Sequence, residues 1–156
     1  ILSGFFSSVG IWPNHEVTPQ MEARAEEVLQ QLEIAHLADR TVSQMSTGEG
    51  RRLLIGRALV HRPKALILDE PTASLDIRAT RELIGTMEAL ARETTIILVT
   101  HHLSDIIPDM NRLVLLRNGR VFRDGEKAEI LSGGALSELF DMPVEVVERR
   151  GFYHLL

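Results

Sequence analysis

With 156 residues, 44% of them hydrophobic, the chain is long enough to enclose one substantial core. Its 17 Lys+Arg against 22 Asp+Glu leave a formal charge of -5, which argues against a broad nucleic-acid surface, and the basic residues gather no further than pairs such as Arg51-Arg52 and Arg149-Arg150. Without cysteine there can be no disulfide and no Cys-ligated zinc, as suits a cytosolic protein, and no apolar run approaches the roughly 20 residues of a membrane-spanning helix.

Residues 1–12 read as a half-apolar helical piece, and because Ile1 is not a natural start residue an upstream segment is expected. Pro13-Asn14-His15 is a turn. Thr18 can cap a helix with Pro19 at its first position, where a missing N–H costs nothing. Met21, Ala25, Val28, Leu29 and Leu32 then share one face, with Glu22, Arg24, Glu26, Glu27 and Gln30 largely opposite. Residues 35–44 form a connector with a short turn and lead to Met45-Ser46-Thr47-Gly48-Glu49-Gly50. Ser46 is the natural N-cap of a helix whose expected inward residues are Leu53, Leu54 and Ala58. Free backbone N–H groups and a partial positive charge gather at such a start, which suits an anion, although an ordinary capped helix has the same pattern.

Residues 65–68, Ala-Leu-Ile-Leu, run straight into Asp69-Glu70-Pro71. So short an apolar run between prolines fits a strand covered on both faces, with its acids at the carboxyl end where open α/β sheets bind ligands. Asp76 caps a second amphipathic helix, with Ile77, Leu83, Ile84, Met87 and Leu90 inward, and Thr95 to Thr100 form another buried strand ending in His101-His102. Two strands about a helix make a βαβ unit with parallel strands, so Asp69, Glu70 and His101 are expected on one edge. Beyond it come a short helix broken by Pro108, a hairpin turning at Asn118-Gly119, two helical pieces around Ser132-Gly133-Gly134, and a terminal hairpin turning at Arg150-Gly151.

Met45-Ser46-Thr47-Gly48-Glu49, then Arg57-Ala58-Leu59, Leu66 to Thr72, Ser74-Leu75-Asp76 and Thr100-His101 occur in an order and spacing that resemble the ATP-binding cassette (ABC) ATPases. They match that family's signature loop and its helix, Walker B strand, D-loop and switch histidine. The resemblance implies an α/β fold of the P-loop NTPase type, with a partial parallel core sheet, flanking helices and a helical subdomain. Residues 1–60 would be the helical subdomain with the signature loop, 61–125 the Walker B core, and 126–156 C-terminal helices and a hairpin. It also implies ATP and Mg2+ as cofactors. Asp69 would hold the metal, Glu70 would act as general base toward water, and His101 would contact the γ-phosphate or that water. Ser46, Thr47, Gly48 and Glu49 would meet ATP held by a second cassette subunit, and Ser74 and Asp76 would lie at the dimer interface. The implied partners are that second subunit or an N-terminal half not among these residues, together with a membrane permease that keeps a cytoplasmic protein at the membrane; no nucleic acid is expected.

Thr47 stands where the family usually has glycine and is expected to resist a positive φ, while Glu49 replaces the usual glutamine and adds charge beside a phosphate. Leu131-Ser132-Gly133-Gly134 imitates the signature but follows the Walker B strand, so it is read as a turn. Nowhere do these residues contain G-x-x-x-x-G-K-[ST], so the expectation is the C-terminal part of a cassette, inactive by itself, with an open sheet edge. Three functional readings follow. The first is an ATP hydrolase energising transport. The second is a non-catalytic module lending its signature loop to an intact partner. The third places the cassette in DNA repair or translation; the repair type expects a long coiled coil before the signature, and only about thirty residues separate Trp12 from Met45, which ranks it low.

Overall fold

A computed structural model describes residues 1–156 as two units, Ile1–Val99 and Thr100–Leu156. In the first unit, a 3-10 turn over Leu2–Phe6 takes the place of the longer helical piece expected for residues 1–12. Helix α1 (Pro19–Gln31) begins as expected, with the Thr18 side chain accepting from the N–H of Met21 and Pro19 opening the helix. Ala25, Val28 and Leu32 are buried. Arg24 lies partly inward instead of opposite, because its guanidinium donates to the carbonyl of Leu59 at 2.8 Å. Two short 3-10 turns, Ala35–Leu37 and Val42–Gln44, form the connector to helix α2 (Thr47–Leu59).

The inward face of α2 differs from expectation. Leu54 and Ala58 are exposed, while Ile55, Gly56 and Leu59 are buried. The reason is steric: a Cβ on Gly56 would stand 2.8 Å from Ile1 Cδ1 and 2.9 Å from Leu32 Cδ1, so the helix turns its hydrogen-only position toward α1 and takes Ile55 and Leu59 inward with it.

Strands β1 (Ala65–Asp69) and β2 (Thr95–Val99) pair in parallel, Ala65 opposite Thr95 and Asp69 opposite Val99, with helix α3 (Ile77–Leu90) between them in sequence. The βαβ reading holds, but the burial does not follow it. In β1 only Leu66 and Leu68 are buried, while Ile67 is 68% exposed, so one sheet face is open. Ile97 and Val99 are exposed likewise. Helix α3 buries Leu83, Met87 and Leu90, spaced at one helical face. Ile77, expected inward, is 91% exposed, because it sits directly after the Asp76 cap on the side of the first turn away from that stripe.

The second unit is built around Ile106, Leu131 and Leu136, with Leu113, Leu115, Leu139, Val144 and Tyr153 packed on them. Strands β3 (Arg112–Arg117) and β4 (Arg120–Glu126) form an antiparallel hairpin in which Asn118 and Gly119 have φ of 54° and 72°, the left-handed pair that a two-residue turn demands. Helix α4 (Lys127–Ile130) and helix α5 (Gly133–Phe140) follow, and the Ser132 side chain accepts from Ala135 N–H as the cap of α5. Of the signature-like run at residues 131–134, Leu131 and Ser132 form the turn between the helices, and Gly133 and Gly134 are the first residues of α5. Strands β5 (Val146–Arg149) and β6 (Phe152–Leu155) close the chain as the expected hairpin, turning at Arg150 and Gly151 with φ of 56° and 80°. Only a 3-10 turn, Leu103–Asp105, stands where a helix over residues 104–110 is expected, since Pro108 cannot supply a helical N–H.

Candidate functional site

The run from Asp69 to Asp76 leaves the sheet at its carboxyl edge. Asp69 is the last residue of β1 and is exposed, and the next residue, Glu70, donates its backbone N–H to the Val99 carbonyl at 2.9 Å. This bond continues the parallel pairing by one residue and holds Glu70 at the rim, half-buried. Glu70 has φ of 43° and Ser74 has φ of 65°, both left-handed and both non-glycine. Such conformations cost of order 1–3 kcal/mol each and persist only where the surroundings enforce them. Here two successive turns do so, Ala73 N–H to Glu70 O at 3.2 Å and Leu75 N–H to Thr72 O at 3.1 Å, with Thr72 buried beneath them. Asp76 ends the run by accepting from Ala79 N–H at 2.7 Å as the cap of α3.

The start of α2 is preorganised. Ser46 Oγ accepts from Glu49 N–H at 3.2 Å, and the Glu49 carboxylate accepts from Ser46 N–H at 2.7 Å, a reciprocal capping box. Two orphan donors are therefore satisfied within the chain. The N–H groups of Thr47 and Gly48, in the first two helical positions, have no intrahelical acceptor by position and face the helix end. Thr47 carries no backbone strain, because its φ is not positive and it opens the helix in ordinary geometry. Glu49 is likewise turned back onto the cap. Its carboxyl is held below the usual carboxylate range, first by the bond from the Ser46 backbone and then by the Ser46 side chain, with Arg40 and His36 adding attraction.

The two helix starts meet. Gly48 is buried against Ala79 in the first turn of α3, and a cleft of about 400 Å³ beside them is lined by Ser46, Glu49, Arg52, Asp76, Arg78 and Glu82 among others. Glu82 joins the helices by pairing with Arg52 of α2 at 3.1 Å, and it also pairs with Arg78 of its own helix at 2.9 Å. The first unit therefore brings Ser46, Gly48 and Glu49 beside Asp76.

His101 belongs to the second unit and is exposed, its ring tilted against that of His102 with centroids 3.9 Å apart. What shapes its turn is a group the sequence reading missed. Thr100 Oγ1 accepts from His102 N–H at 3.0 Å and donates to the carboxylate of Asp105, also at 3.0 Å, and Asp105 is 1% exposed. A threonine ahead of the histidines with an acid five residues on is the signal available in the sequence, although the same spacing is common in ordinary loops.

An oxygen-only donor such as Asp69 at a sheet edge suits Mg2+, a hard ion that keeps several waters and takes one or two carboxylates. The first unit therefore offers an exposed acid of the type that suits a hard cation, a rim carboxylate next to it, and a helix start with unbonded N–H groups of the type that suits an anion.

A profile of the ABC transporter family matches residues 3–73. The chain is 38% identical over 151 residues to an uncharacterized ABC transporter ATP-binding protein, YlmA, of Bacillus subtilis (strain 168), covering 94% of this chain and 56% of that protein. It is 35% identical over 136 residues to the hemin import ATP-binding protein HmuV of Streptomyces coelicolor, covering 86% of this chain and 49% of that protein. Among solved structures, an ABC transporter in an inward-facing conformation superposes with a TM-score of 0.83 at 25% identity, over 99% of this chain and 63% of that one. The chain spans about half the length of the curated relatives it matches.

Proposed function

Since the chain belongs to the ABC ATPase family, we propose that it supplies the hydrolytic carboxylates and the signature loop of an ATPase that energises transport across a membrane. The observation that carries this reading is the Asp69-Glu70 pair at the end of parallel strand β1, with Glu70 anchored to Val99 O and held at φ of 43°. Asp69 would hold Mg2+, which when bound neutralises charge on the phosphates. Glu70 takes a proton from the attacking water, a role worth about two to four orders of magnitude in rate. His101 contacts the γ-phosphate or that water. Ser46, Thr47 and Gly48 meet the phosphates of ATP held by a second cassette, with Glu49 bracing the cap, and Ser74 and Asp76 lie at the interface with it. The proposed chemistry also needs a lysine and a backbone cradle for the β- and γ-phosphates, the parts that a G-x-x-x-x-G-K-[ST] loop supplies. A permease is the membrane partner in this reading; no helix of the chain is long and apolar enough to cross a membrane.

A second reading, a module that lends its signature loop to an intact partner without hydrolysing ATP, draws on the same preformed helix start. Glu70→Gln in the full-length protein separates the two. Hydrolysis should fall by at least about a hundredfold while ATP binding persists, because the amide keeps the shape but takes no proton. Retention of most of the turnover would remove Glu70 as the base. Absence of any wild-type hydrolysis would favour the lending module.

A further inference from the structure

Helices α2 and α3 are held together at their starts by two independent constraints. The first is steric. A Cβ on Gly48 would stand 2.8 Å from Ala79 Cβ and 3.7 Å from Ala79 Cα. Carbon atoms in contact prefer about 3.5–4.0 Å, and a Cβ is fixed by its backbone and cannot rotate away. One methyl group fits this gap and two do not. The second constraint is ionic, about one turn further along both helices. Arg52, its side chain only 13% exposed, reaches Glu82 at 3.1 Å, and the other carboxylate oxygen of Glu82 takes Arg78. Ala79 is also the residue whose N–H is taken by the Asp76 cap. The contact with Gly48 therefore ties the Ser46 capping box directly to the segment of Ser74 and Asp76.

We propose that Ala79 is a positioning residue: by offering Gly48 a single methyl group, it seats the start of α2 on the first turn of α3, so that Ser46 to Glu49 meet ATP and Ser74 to Asp76 meet the second cassette as one rigid piece. The inference rests on the phosphate-contacting role proposed for Ser46 and Gly48. Position 79 is only partly buried, and an isolated helix would accept most residues there. The requirement for a small side chain comes from the neighbouring helix.

The test is ATP hydrolysis by the full-length protein as a function of MgATP concentration, with thermal melting of each variant. Ala79→Leu and Gly48→Ala should each lower kcat/KM by about tenfold or more through misplacement of the loop, while Ala79→Ser should lose less than about threefold. The deciding variant is the exchange Gly48→Ala with Ala79→Gly. It restores one methyl to the gap, now facing a Cα at an ordinary contact distance, and should recover about half or more of the loss in logarithmic terms. An exchange that melts like the wild type yet recovers nothing overturns the proposal, because the Gly48 methyl would then obstruct the nucleotide itself. Unchanged kcat/KM in Ala79→Leu overturns it as well. If that variant does not fold, the exchange decides. A wild-type protein without ATPase activity would instead defeat the functional reading beneath the proposal, an outcome distinguishable from both.

Discussion

Replacing Ser46 by alanine tests the capping box at the start of α2 as a structural device and as part of a phosphate site. The substitution removes the Oγ that accepts from Glu49 N–H at 3.2 Å but leaves the Ser46 backbone N–H that donates to the Glu49 carboxylate at 2.7 Å. Loss of such a cap costs about 1 kcal/mol, which for a protein of this size lowers Tm by about 2–4 °C. Ser46→Asp should regain most of it, since a carboxylate caps as well as a hydroxyl. The Glu49 half of the box has its own signature in pH. The Ser46 backbone bond is the main cause holding the folded carboxyl below its usual range, so the folded value lies under the unfolded one of about 4.3. Its contribution is therefore fully present above the unfolded value and is lost as pH falls through the folded one. Melting the wild type, Ser46→Ala and Glu49→Gln between pH 7 and pH 3 should show the advantage of Glu49 over glutamine shrinking below about pH 4. An unchanged Tm in Ser46→Ala, or a Glu49→Gln difference independent of pH, would refute the capping argument.

Met87 is 0% exposed on the inward face of α3, so Met87→Ala should destabilise by about 2–5 kcal/mol, measured by urea denaturation. At the β3–β4 turn, where Asn118 has φ of 54°, Asn118→Gly should be tolerated while Asn118→Val costs about 1–2 kcal/mol, read as a Tm difference between the two variants.

The features legible in the sequence are those decided within a few residues. Thr18, Ser46 and Asp76 cap their helices as their position before an apolar period predicts, because a cap bonds to N–H groups only two or three residues away. The turns at Asn118-Gly119 and Arg150-Gly151 are likewise set by the local demand for positive φ. The parallel pairing of β1 with β2 was legible too, since an apolar strand, an amphipathic helix and a second apolar strand leave little other choice. What packs against each element was not. Leu53, Leu54 and Ile55 are consecutive apolar residues, and only the close approach of α2 to Ile1 and Leu32 at Gly56 selects Ile55 as the inward one. The strands read as buried on both faces because their side chains are apolar on both, yet Ile67 and Ile97 stand exposed, since burial depends on what covers a face and not on the face itself. The candidate site divides in the same way. The residue types and their order mark Asp69, Glu70 and Ser46, whereas the left-handed backbone at Glu70, the buried Asp105 beneath Thr100, and the fit of Gly48 to Ala79 exist only in three dimensions, where residues distant in sequence compete for the same space.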